Sequence, residues 1–483
     1  MKVLHVSSEV APFAQTGGLA DVLAGLPAAQ AQRGAETAVL VPLYRGVAER
    51  VIAAGHTFLP DVPLALTLGA SSYPSTLRRT RVGAVVYGFV DCPALYDRAG
   101  GLYGPGGASE WFDNHVRFAV LGKAALAAGP HLLEGTPDVL HVHDWQGGPA
   151  AIYARLAGSS STIVTTIHNL AYRGIFPKSV MDELGIPWSV FTPKLVEFWD
   201  QLSFLKGALA MSDAVTTVSP TYAREILTPT FGEGLDGFLT YEVKRLVGIL
   251  NGIDETAFDP ATDAALPVPF TADSLEGKAT CRSELAREVK LSLGKGEVLI
   301  GVIARMTGQK GLDLVADIVP ELYRLGARLI VLGAGEPELE ARFRYLGELF
   351  ANHVSVHIGF DLGFARRIYG GCDLFLMPSR FEPCGLGQLY AMRYGTIPVV
   401  HSVGGLHDTV IDPGNAELGR GRGTGFAFDR ATPRSLLSAL ERAVALHRDR
   451  AAFTTLRRAA MARDSSWTTS AGSYLALYRE LRP

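Results

Sequence analysis

Three features are scarce in this 483-residue sequence: cysteine, long apolar runs and an excess of either charge. The four cysteines lie far apart and form no C-x-x-C pair, which argues against a zinc ribbon or a disulfide scaffold. No apolar stretch approaches the ~18 residues that a membrane-spanning helix needs. The start, MKVLHVSSEV, is typical of a strand rather than a signal peptide, because no apolar segment of the required length follows the lysine.

The charge balance narrows the class of partner. A formal net charge of -3 gives no electrostatic reason to expect nucleic acid or an anionic membrane. A neutral polymer or a small metabolite fits this charge better. The low cysteine content also suits a reducing compartment, so the sequence predicts a soluble, cytoplasmic protein.

The sequence does contain a regular alternation of Val- and Ile-rich runs with helical patterns, which is typical of an α/β fold. The chain is too long for one ordinary domain, so we predict two. The predicted strands are KVLHV, TAVLVP, AVVYGFV, PDVLHVHD, STIVTTIHN and DAVTTVS in the first half, and EVLIGVIAR, ARLIVLGA, VSVHIGF, CDLFLMPS and TIPVVHS in the second.

Glycine, asparagine and proline cluster in VGILNGIDETAFDP, and this cluster marks the predicted domain boundary. We predict a first domain over residues 1–247 and a second over residues 248–460. The last segment, 461–483, contains WTTSAGSYLALYRELRP, and we predict an amphipathic helix there. Its apolar positions are Tyr474, Leu475, Leu477, Tyr478 and Leu481.

Polar side chains follow several predicted strands, at the edge of a parallel sheet where ligands bind. Asp144 ends one strand in HVHDWQGG, and His168 and Asn169 end the next in TIHNLAYRG. Glu382 follows a strand of the second half, in SRFEPCGLGQ. These are hydrogen-bonding groups of the kind that hold sugar hydroxyls.

A second set of residues is suited to phosphate. Arg305 and Lys310 flank a turn in ARMTGQKG, and glycine pairs begin helices at Gly17-Gly18 and Gly404-Gly405. Helix amino termini and cations both favour bound anions, so these groups can neutralise a diphosphate. Phosphate-binding and hydroxyl-binding groups together predict a nucleotide-sugar substrate.

A series of motifs, in order along nearly the whole chain, carries a family resemblance. They are TGGLADV, LYDR, HVHDWQGG, TIHNLAYRG, LSFLKGAL, TVSPTYAREI, LNGID, ARMTGQKGLDLV, LGAGEP and PSRFEPCGLGQLYAMRYGT. In these motifs the chain resembles bacterial glycogen synthases and plant starch synthases, the family 5 retaining glycosyltransferases. The resemblance implies the GT-B fold, in which two Rossmann-like, doubly wound domains face each other across a deep cleft. It also implies that the C-terminal helix crosses back onto the first domain.

The resemblance implies an activity and roles for individual residues. Family members transfer glucose from ADP-glucose to the non-reducing end of an α-1,4-glucan such as glycogen, with retention of configuration. Arg305 and Lys310 match the phosphate-binding pair that stabilises the leaving group. Glu382 matches the catalytic-site glutamate, and His168 matches the histidine that binds the sugar near the reacting carbon.

Other positions match substrate-binding residues of the family. Asp144 and Tyr103 match sugar-cleft positions on the acceptor side, and Phe360 falls where the nucleobase stacks. The remaining predicted substrate-binding positions are Gln15, Gly17, Gly18, Asp21, Asn169, Cys384, Gly385, Leu386, Gly404 and Gly405.

The family is usually interpreted as using front-face transfer, in which the donor's own phosphate oxygen assists deprotonation of the acceptor hydroxyl. The two-carboxylate scheme of retaining glycosidases does not transfer directly, because Asp144 and Glu382 belong to different domains. The sequence has no D-x-D motif, and cationic side chains with helix termini take the place of a metal. We therefore expect no metal and no other cofactor.

Gln15 departs from the family pattern. The usual motif is K-T-G-G-L or K-V-G-G-L, whose lysine helps to bind the donor diphosphate, and this chain has QTGGL. A charge-assisted hydrogen bond is worth roughly 1.5–3 kcal/mol against about 0.5–1.5 for a neutral one. We expect a working synthase with weakened or shifted donor use.

Several predicted site residues also have a structural interpretation. On this alternative interpretation His168 is a packed or capping histidine, Glu382 caps the following helix, and Phe360 fills the core. Asp144 would only orient its loop. Arg305 and Lys310 would be ordinary surface cations, and Cys384 a small buried residue. Arg380 is predicted to form a structural salt bridge outside the site.

Three other functions compete with an ADP-glucose-dependent synthase. One is the same transfer from UDP-glucose, and another is a glucan-binding regulatory protein with little turnover. The third is a glycogen phosphorylase, which needs lysine-bound pyridoxal phosphate and usually has a much longer chain. An NAD site at GAGEPE is not expected, because Pro337 stands near where the third glycine of G-x-G-x-x-G belongs.

Overall fold

The protein, described here from a computed structural model, is traced over residues 1–106, 109–414 and 421–482. The chain forms two units, each with its own buried apolar core. The N-terminal unit comprises Met1–Gly252 and Trp467–Pro483, and the C-terminal unit comprises Ile253–Ser466. The chain therefore leaves the N-terminal unit after Gly252 and returns to it for its last helix.

The strands of the described residues differ in length from two to twelve residues. They are β1 (Lys2–Val6), β2 (Glu36–Pro42), β3 (Val62–Leu68), β4 (Ser71–Val82), β5 (Val85–Asp91), β6 (Val139–His143), β7 (Thr162–Ile167), β8 (Ile175–Pro177), β9 (Glu197–Phe198), β10 (Gln201–Ser203), β11 (Ala214–Thr217), β12 (Leu246–Gly248), β13 (Val298–Ile303), β14 (Ala327–Gly333), β15 (Val354–Ile358), β16 (Leu374–Met377), β17 (Ile397–His401) and β18 (Phe426–Phe428).

The α-helices alternate with the strands along most of the described chain. They are α1 (Gly18–Gln32), α2 (Val47–Ala53), α3 (Pro93–Tyr96), α4 (Asn114–Leu132), α5 (Asp144–Leu156), α6 (Met181–Leu184), α7 (Phe204–Met211), α8 (Pro220–Glu225), α9 (Asp236–Tyr241), α10 (Glu276–Glu288), α11 (Leu312–Asp317), α12 (Val319–Leu325), α13 (Pro337–Leu349), α14 (Leu362–Gly371), α15 (Gly387–Arg393), α16 (Gly404–Thr409), α17 (Pro433–Arg448), α18 (Arg450–Met461) and α19 (Trp467–Leu481).

The N-terminal unit is built on a nine-stranded sheet in the order β12-β11-β7-β6-β1-β2-β5-β4-β3. Strands β12 to β5 in this order are parallel, and the hairpin β3-β4 adds two antiparallel strands beyond β5. Strand β1 pairs with β2 on one side and with β6 on the other. The direction of the strand order reverses there, and ligands bind at such a switch point in open α/β sheets.

The C-terminal unit contains a six-stranded parallel sheet in the order β15-β14-β13-β16-β17-β18. Strand β13 pairs with β14 and β16, so the strand order reverses between β13 and β16. This is the second switch point of the protein. Both units are thus doubly wound and Rossmann-like, as the sequence predicts.

The predicted Val- and Ile-rich runs all form strands, and they supply the central part of both sheets. They are buried along most of their length, because helices cover both faces of a parallel sheet. The α/β prediction is therefore confirmed. Within the described residues, none of the helices is both long enough and apolar enough to span a bilayer.

The predicted amphipathic helix at the C-terminus is present as α19. Its Tyr474 and Tyr478 are fully buried in the core of the N-terminal unit. The helix packs against α1, where a β-carbon on Gly25 would lie 2.0 Å from Nε1 of Trp467. Glycine at position 25 is therefore required for the close approach of the two helices.

Candidate functional site

Most of the predicted site residues follow the carboxyl ends of strands. In the N-terminal unit they follow β1, β6 and β7, apart from Tyr103, which comes after β5 and α3; in the C-terminal unit they follow β13, β15, β16 and β17. Each unit contributes its own set, and each set has its own hydrogen-bond network.

Glu9, which sequence reasoning missed, is the centre of the network after β1. Its buried carboxylate accepts hydrogen bonds from the backbone N–H groups of Thr16, at 2.6 Å, and Gly17, at 3.1 Å. It also accepts from the Thr16 hydroxyl at 2.6 Å and from the Tyr103 hydroxyl at 2.5 Å. The Gly17 N–H, which the sequence predicts to face a phosphate, is therefore already bonded to a carboxylate of the chain.

Gln15 lies beside Asp21, and its Nε2 donates to Asp21 Oδ1 at 3.2 Å. Burial and the nearby Glu9 charge raise the pKa of Asp21 to about 6, against the lowering effect of the Gln15 hydrogen bond. The loop around α1's first turn therefore carries two carboxyl groups, Glu9 and Asp21, and Gln15 supplies no positive charge to offset them.

Asp144 organises the loop that follows β7. It has a left-handed backbone conformation with φ of 52°, and its Oδ1 accepts from the backbone N–H groups of His168, at 2.7 Å, and Asn169, at 3.4 Å. Burial raises the pKa of Asp144 to about 7, while these two hydrogen bonds act in the opposite direction. The predicted loop-orienting role of Asp144 is thus visible directly in its contacts.

His168 and Asn169 both have defined partners near β6 and β7. The His168 Nε2 lies 2.9 Å from Nδ1 of His143, and burial lowers the pKa of His168 to about 3. The Asn169 Oδ1 accepts from the backbone N–H of Ala171 at 3.1 Å, which closes a tight turn. His168 is consequently neutral at physiological pH.

Lys310 and Glu382 meet at the switch point of the C-terminal unit. Lys310 Nζ donates to Glu382 Oε2 at 2.6 Å, and the Ser379 hydroxyl donates to the same oxygen at 3.0 Å. Glu382 is only 6% exposed, and Lys310 is partly buried. The contacts of Glu382 lie with Lys310 and Ser379 rather than with the first turn of α15, so its carboxylate is not a helix cap.

Arg305 and Arg380 of the same unit differ in their surroundings. Arg305 follows β13 and its side chain is exposed. Arg380 pairs with both carboxylate oxygens of Asp313, at 2.7 and 2.6 Å, and with the carbonyl of Gly308. The predicted structural salt bridge of Arg380 is therefore confirmed.

The glycine-rich segments after β16 and β17 pack closely together. The Gly405 N–H donates to the Glu382 carbonyl at 3.0 Å, and a β-carbon there would lie 2.1 Å from the carbonyl oxygen of Cys384. Gly404 and Gly385 have positive φ values of 45° and 73°. Cys384 is buried, and Leu386 precedes α15. These residues hold the backbone around Glu382 in place.

Phe360 follows β15 in the C-terminal unit. Its side chain is 82% exposed, so the alternative prediction that it fills the core is wrong. An exposed aromatic ring is available for stacking, whereas a core residue is not.

The structure groups most of the predicted residues within their own unit. Glu9 links Tyr103 to Gly17, and Asp144 links His168 to Asn169. In the other unit Lys310 reaches Glu382. Sequence reasoning missed Glu9 and Ser379, although Glu9 follows the predicted strand KVLHV and Ser379 ends the predicted strand CDLFLMPS, and those positions were the available signal.

The comparisons with known proteins agree with this architecture. Family profiles described as Starch synthase catalytic domain and Glycosyl transferases group 1 match residues 2–241 and 297–445 respectively. Similar solved structures include the catalytic domain of Starch Synthase IV from Arabidopsis thaliana bound to ADP and acarbose. It has 32% identity and a TM-score of 0.89, and the match covers 99% of each chain. Sucrose-phosphate synthase from Thermosynechococcus elongatus, at 17% identity and a TM-score of 0.60, shares the fold over 99% of this chain and 98% of its own.

The two doubly wound units and these neighbours define a glycosyltransferase of the GT-B fold. Among curated proteins, the glycogen synthase of Anaeromyxobacter dehalogenans strain 2CP-C is 48% identical, and that of Thioalkalivibrio sulfidiphilus is 42% identical; each match covers 100% of both chains. The chain belongs to the glycogen synthase and starch synthase family.

Proposed function

We propose that this protein is an ADP-glucose-dependent glycogen synthase that extends an α-1,4-glucan at its non-reducing end with retention of configuration. Full-length similarity to glycogen synthases supports the reaction class. The related starch synthase structure holds ADP and acarbose, which supports an adenine nucleotide and a glucan as ligands.

The Lys310–Glu382 pair, at 2.6 Å, is the observation that carries the proposal. It lies at the switch point between β13 and β16, where a nucleotide binds in a doubly wound sheet. Lys310, with the exposed Arg305 on the same loop, stabilises the diphosphate as it leaves. Glu382 holds Lys310 in position before the donor binds and contacts the donor glucose.

In the proposed step the bond between the donor's anomeric carbon and its phosphate oxygen breaks, and a bond to the acceptor's hydroxyl oxygen forms on the same face. The acceptor proton passes to the departing phosphate oxygen. His168 holds the donor sugar, and Tyr103 and Asp144 lie on the acceptor side. We propose that no metal or other cofactor takes part and that the reaction takes place in the cytoplasm.

The test is incorporation of labelled glucose into glycogen from ADP-glucose and from UDP-glucose, with and without a chelator. We expect transfer from ADP-glucose that resists the chelator, and release of the label by an exo-acting α-1,4-glucan hydrolase. Glu382→Ala and Arg305→Ala each remove most of the activity. Glycogen binding without transfer from either donor would contradict the proposal.

One observation favours weak donor use within this function. Gln15 supplies no charge, and Glu9 and Asp21 place two carboxyl groups at the start of α1. These groups repel a diphosphate when both are ionised. We therefore propose a lower donor affinity than a lysine at position 15 gives, and a preference for UDP-glucose is the second outcome that the two-donor assay detects.

A further inference from the structure

A chain of side-chain hydrogen bonds runs from α1 through the core of the N-terminal unit to His168. Gln30 Oε1 lies 2.8 Å from His5 Nε2, and His5 Nδ1 lies 3.1 Å from His143 Nε2. His143 Nδ1 in turn lies 2.9 Å from His168 Nε2. We call these four residues the histidine chain. Its first three members are fully buried.

The protonation of the chain follows from burial. Loss of solvent lowers the pKa of His5 to about 4 and that of His168 to about 3, and it places the pKa of His143 well below its usual range. Each ring is therefore neutral and carries one N–H. A neutral imidazole donates from one nitrogen and accepts at the other, so the first partner fixes the roles along the whole chain.

The roles are set by the Gln30 amide. Its oxygen accepts, so His5 carries the proton on Nε2 and accepts at Nδ1. His143 then donates from Nε2 and accepts at Nδ1, and His168 donates from Nε2. The lone pair of His168 is thereby left on Nδ1, the ring nitrogen outside the chain.

The Gln30 amide also contacts α19. Gln30 Nε2 donates to the Tyr478 hydroxyl at 3.2 Å, and that hydroxyl lies 2.7 Å from Nδ1 of His141. His141 Nε2 lies 2.6 Å from the Thr166 hydroxyl, which contacts Thr216. We call the series from Gln30 through Tyr478, His141 and Thr166 to Thr216 the branch. Its side chains are also fully buried, and each contacts the next.

The ligand nitrogens of His5, His141 and His143 lie within 4.8 Å of one another, a spacing that suits a metal ion. All the ring nitrogens of these three histidines nevertheless have side-chain partners. A metal would have to break those hydrogen bonds, so the hydrogen-bonded chain accounts for the cluster better than a metal site does.

We propose that Gln30, His5 and His143 are positioning residues that hold His168 as its Nε2–H tautomer, so that Nδ1 accepts a hydrogen bond from a substrate hydroxyl. The inference rests on the proposed function for the role of His168 at the donor sugar. The buried histidines act only through His168 and do not themselves touch substrate.

The first test reads the tautomer directly. Protein labelled with ¹⁵N-histidine gives ring-nitrogen shifts that distinguish a protonated from an unprotonated nitrogen, and His168→Gln assigns the signal. We expect a protonated Nε2 and an unprotonated Nδ1 for His168. A protonated Nδ1, or a stoichiometric metal ion in the purified protein, would overturn the proposal.

The second test uses two variants of similar size at position 143. In His143→Asn the side-chain oxygen can accept at the place of Nδ1, whereas His143→Leu offers no acceptor. Partners that orient metal-ligating histidines are worth about 10–100-fold, and we expect His143→Leu to lose kcat by a factor of the same order. His143→Asn should recover most of this loss and restore the Nε2–H signal of His168.

Thr216→Val is the matched control, since it is buried in the same core but lies at the far end of the branch. It should leave the His168 signal unchanged. Equal kcat values and equal spectra for His143→Asn and His143→Leu, with both variants folded by circular dichroism, would show a merely structural role. The spectra need no substrate, so failure of the proposed function would leave this part of the proposal testable by itself.

Discussion

Glu9 occupies backbone donors just ahead of a helix. Its carboxylate accepts from the N–H groups of Thr16 and Gly17, which immediately precede α1. An incoming phosphate therefore finds these two N–H groups already bonded within the chain. The charge of residue 15 adds to the charges of Glu9 and Asp21 at the start of α1.

Replacing Gln15 by lysine should improve donor use. The new cation would lie beside Asp21, where Gln15 now donates at 3.2 Å, and would offset the two carboxyl groups of this loop. Exchange of a neutral for a charged hydrogen bond is worth about 1–2 kcal/mol, which corresponds to about 5–30-fold. We expect the KM for ADP-glucose to fall, or kcat to rise, by about this factor in steady-state kinetics.

Gln15→Met, which has similar length and no charge, is the control for this prediction. It should not improve donor use. If Gln15→Lys is no better than the parent, a lysine is dispensable here and the weak-donor part of the proposed function is wrong.

Asp144 should make stability depend on pH near neutrality. Its pKa is raised from 3.8 to about 7, so the folded state binds a proton more tightly than the unfolded state does. The contribution of the protonated Asp144 carboxyl to the free energy of unfolding is fully present below its unfolded pKa of 3.8. This contribution is lost as the pH rises through the folded pKa of about 7. Between pH 6 and pH 9 this loss amounts to about 1 kcal/mol in the free energy of unfolding.

Asp144→Asn tests the prediction, because asparagine tolerates the left-handed backbone and still offers an oxygen to the His168 N–H. Urea unfolding at both pH values should show a smaller pH-dependent loss in the variant than in the parent. Identical losses in the two proteins would assign the pH dependence to other groups.

At the scale of elements, the two-residue turn between β9 and β10 is unusual. Trp199 and Asp200 have φ values of 50° and 60°, the geometry of a type I′ turn, which favours Asn-Gly. Trp199 is also 77% exposed, so burial of its ring does not offset the strained backbone. The turn is held instead by its surroundings, including the Lys178–Asp200 ion pair at 2.6 Å.

Trp199→Asn should therefore stabilise the protein by about 1 kcal/mol, since asparagine enters the left-handed region more readily than tryptophan does. Trp199→Ala also removes the ring, but alanine enters the left-handed backbone region less readily than asparagine does. We therefore expect Trp199→Ala to stabilise the protein less than Trp199→Asn does. The comparison is made from urea unfolding curves. Equal stability of the two variants would show that backbone strain at position 199 is small.

The elements were predictable from sequence where apolar runs are continuous. The buried parallel strands needed no tertiary information, because Val- and Ile-rich runs favour strands covered on both faces. The β3-β4 hairpin alternates buried and exposed residues along β3, a pattern typical of a half-buried strand that the predicted strands do not include. Strands β8, β9, β10, β12 and β18 have two or three residues each, too few for any periodicity.

The site was predictable to a similar degree. Residues after strands, such as Lys310 and Glu382, lie where parallel-sheet geometry places ligand contacts. Glu9 was missed because its role depends on how the loop to Thr16 bends back. The histidine chain joins Gln30 to a branch through Tyr478, and no local pattern reveals a contact across 448 positions.

At the scale of the whole molecule, the N-terminal unit is assembled from both ends of the chain. Helix α19 supplies buried aromatic residues to a core that begins with β1. At the junction of the two segments the side chain of Trp467 lies directly against Gly25.

Gly25→Ala should weaken this junction. The added methyl group would lie 2.0 Å from Nε1 of Trp467, and overpacking of this kind costs about 1–3 kcal/mol. Gly237→Ala is the matched control, because Gly237 also lies in a helix but a β-carbon added there would have no neighbouring atom within 4 Å. We expect a lower thermal midpoint for Gly25→Ala and an unchanged or higher one for Gly237→Ala; a similar response of both variants would contradict the role of the junction.

The return of α19 to the N-terminal unit also bears on biosynthesis. A ribosome makes residues 467–481 after the whole of the C-terminal unit, Ile253–Ser466, so the N-terminal unit acquires part of its core only after that unit has been synthesised. A nascent chain that ends after Ser466 contains every predicted site residue and yet lacks Tyr478, which contacts the Gln30 amide. Synthesis of α19 is therefore a condition for the contacts of Tyr478 with Gln30 and His141.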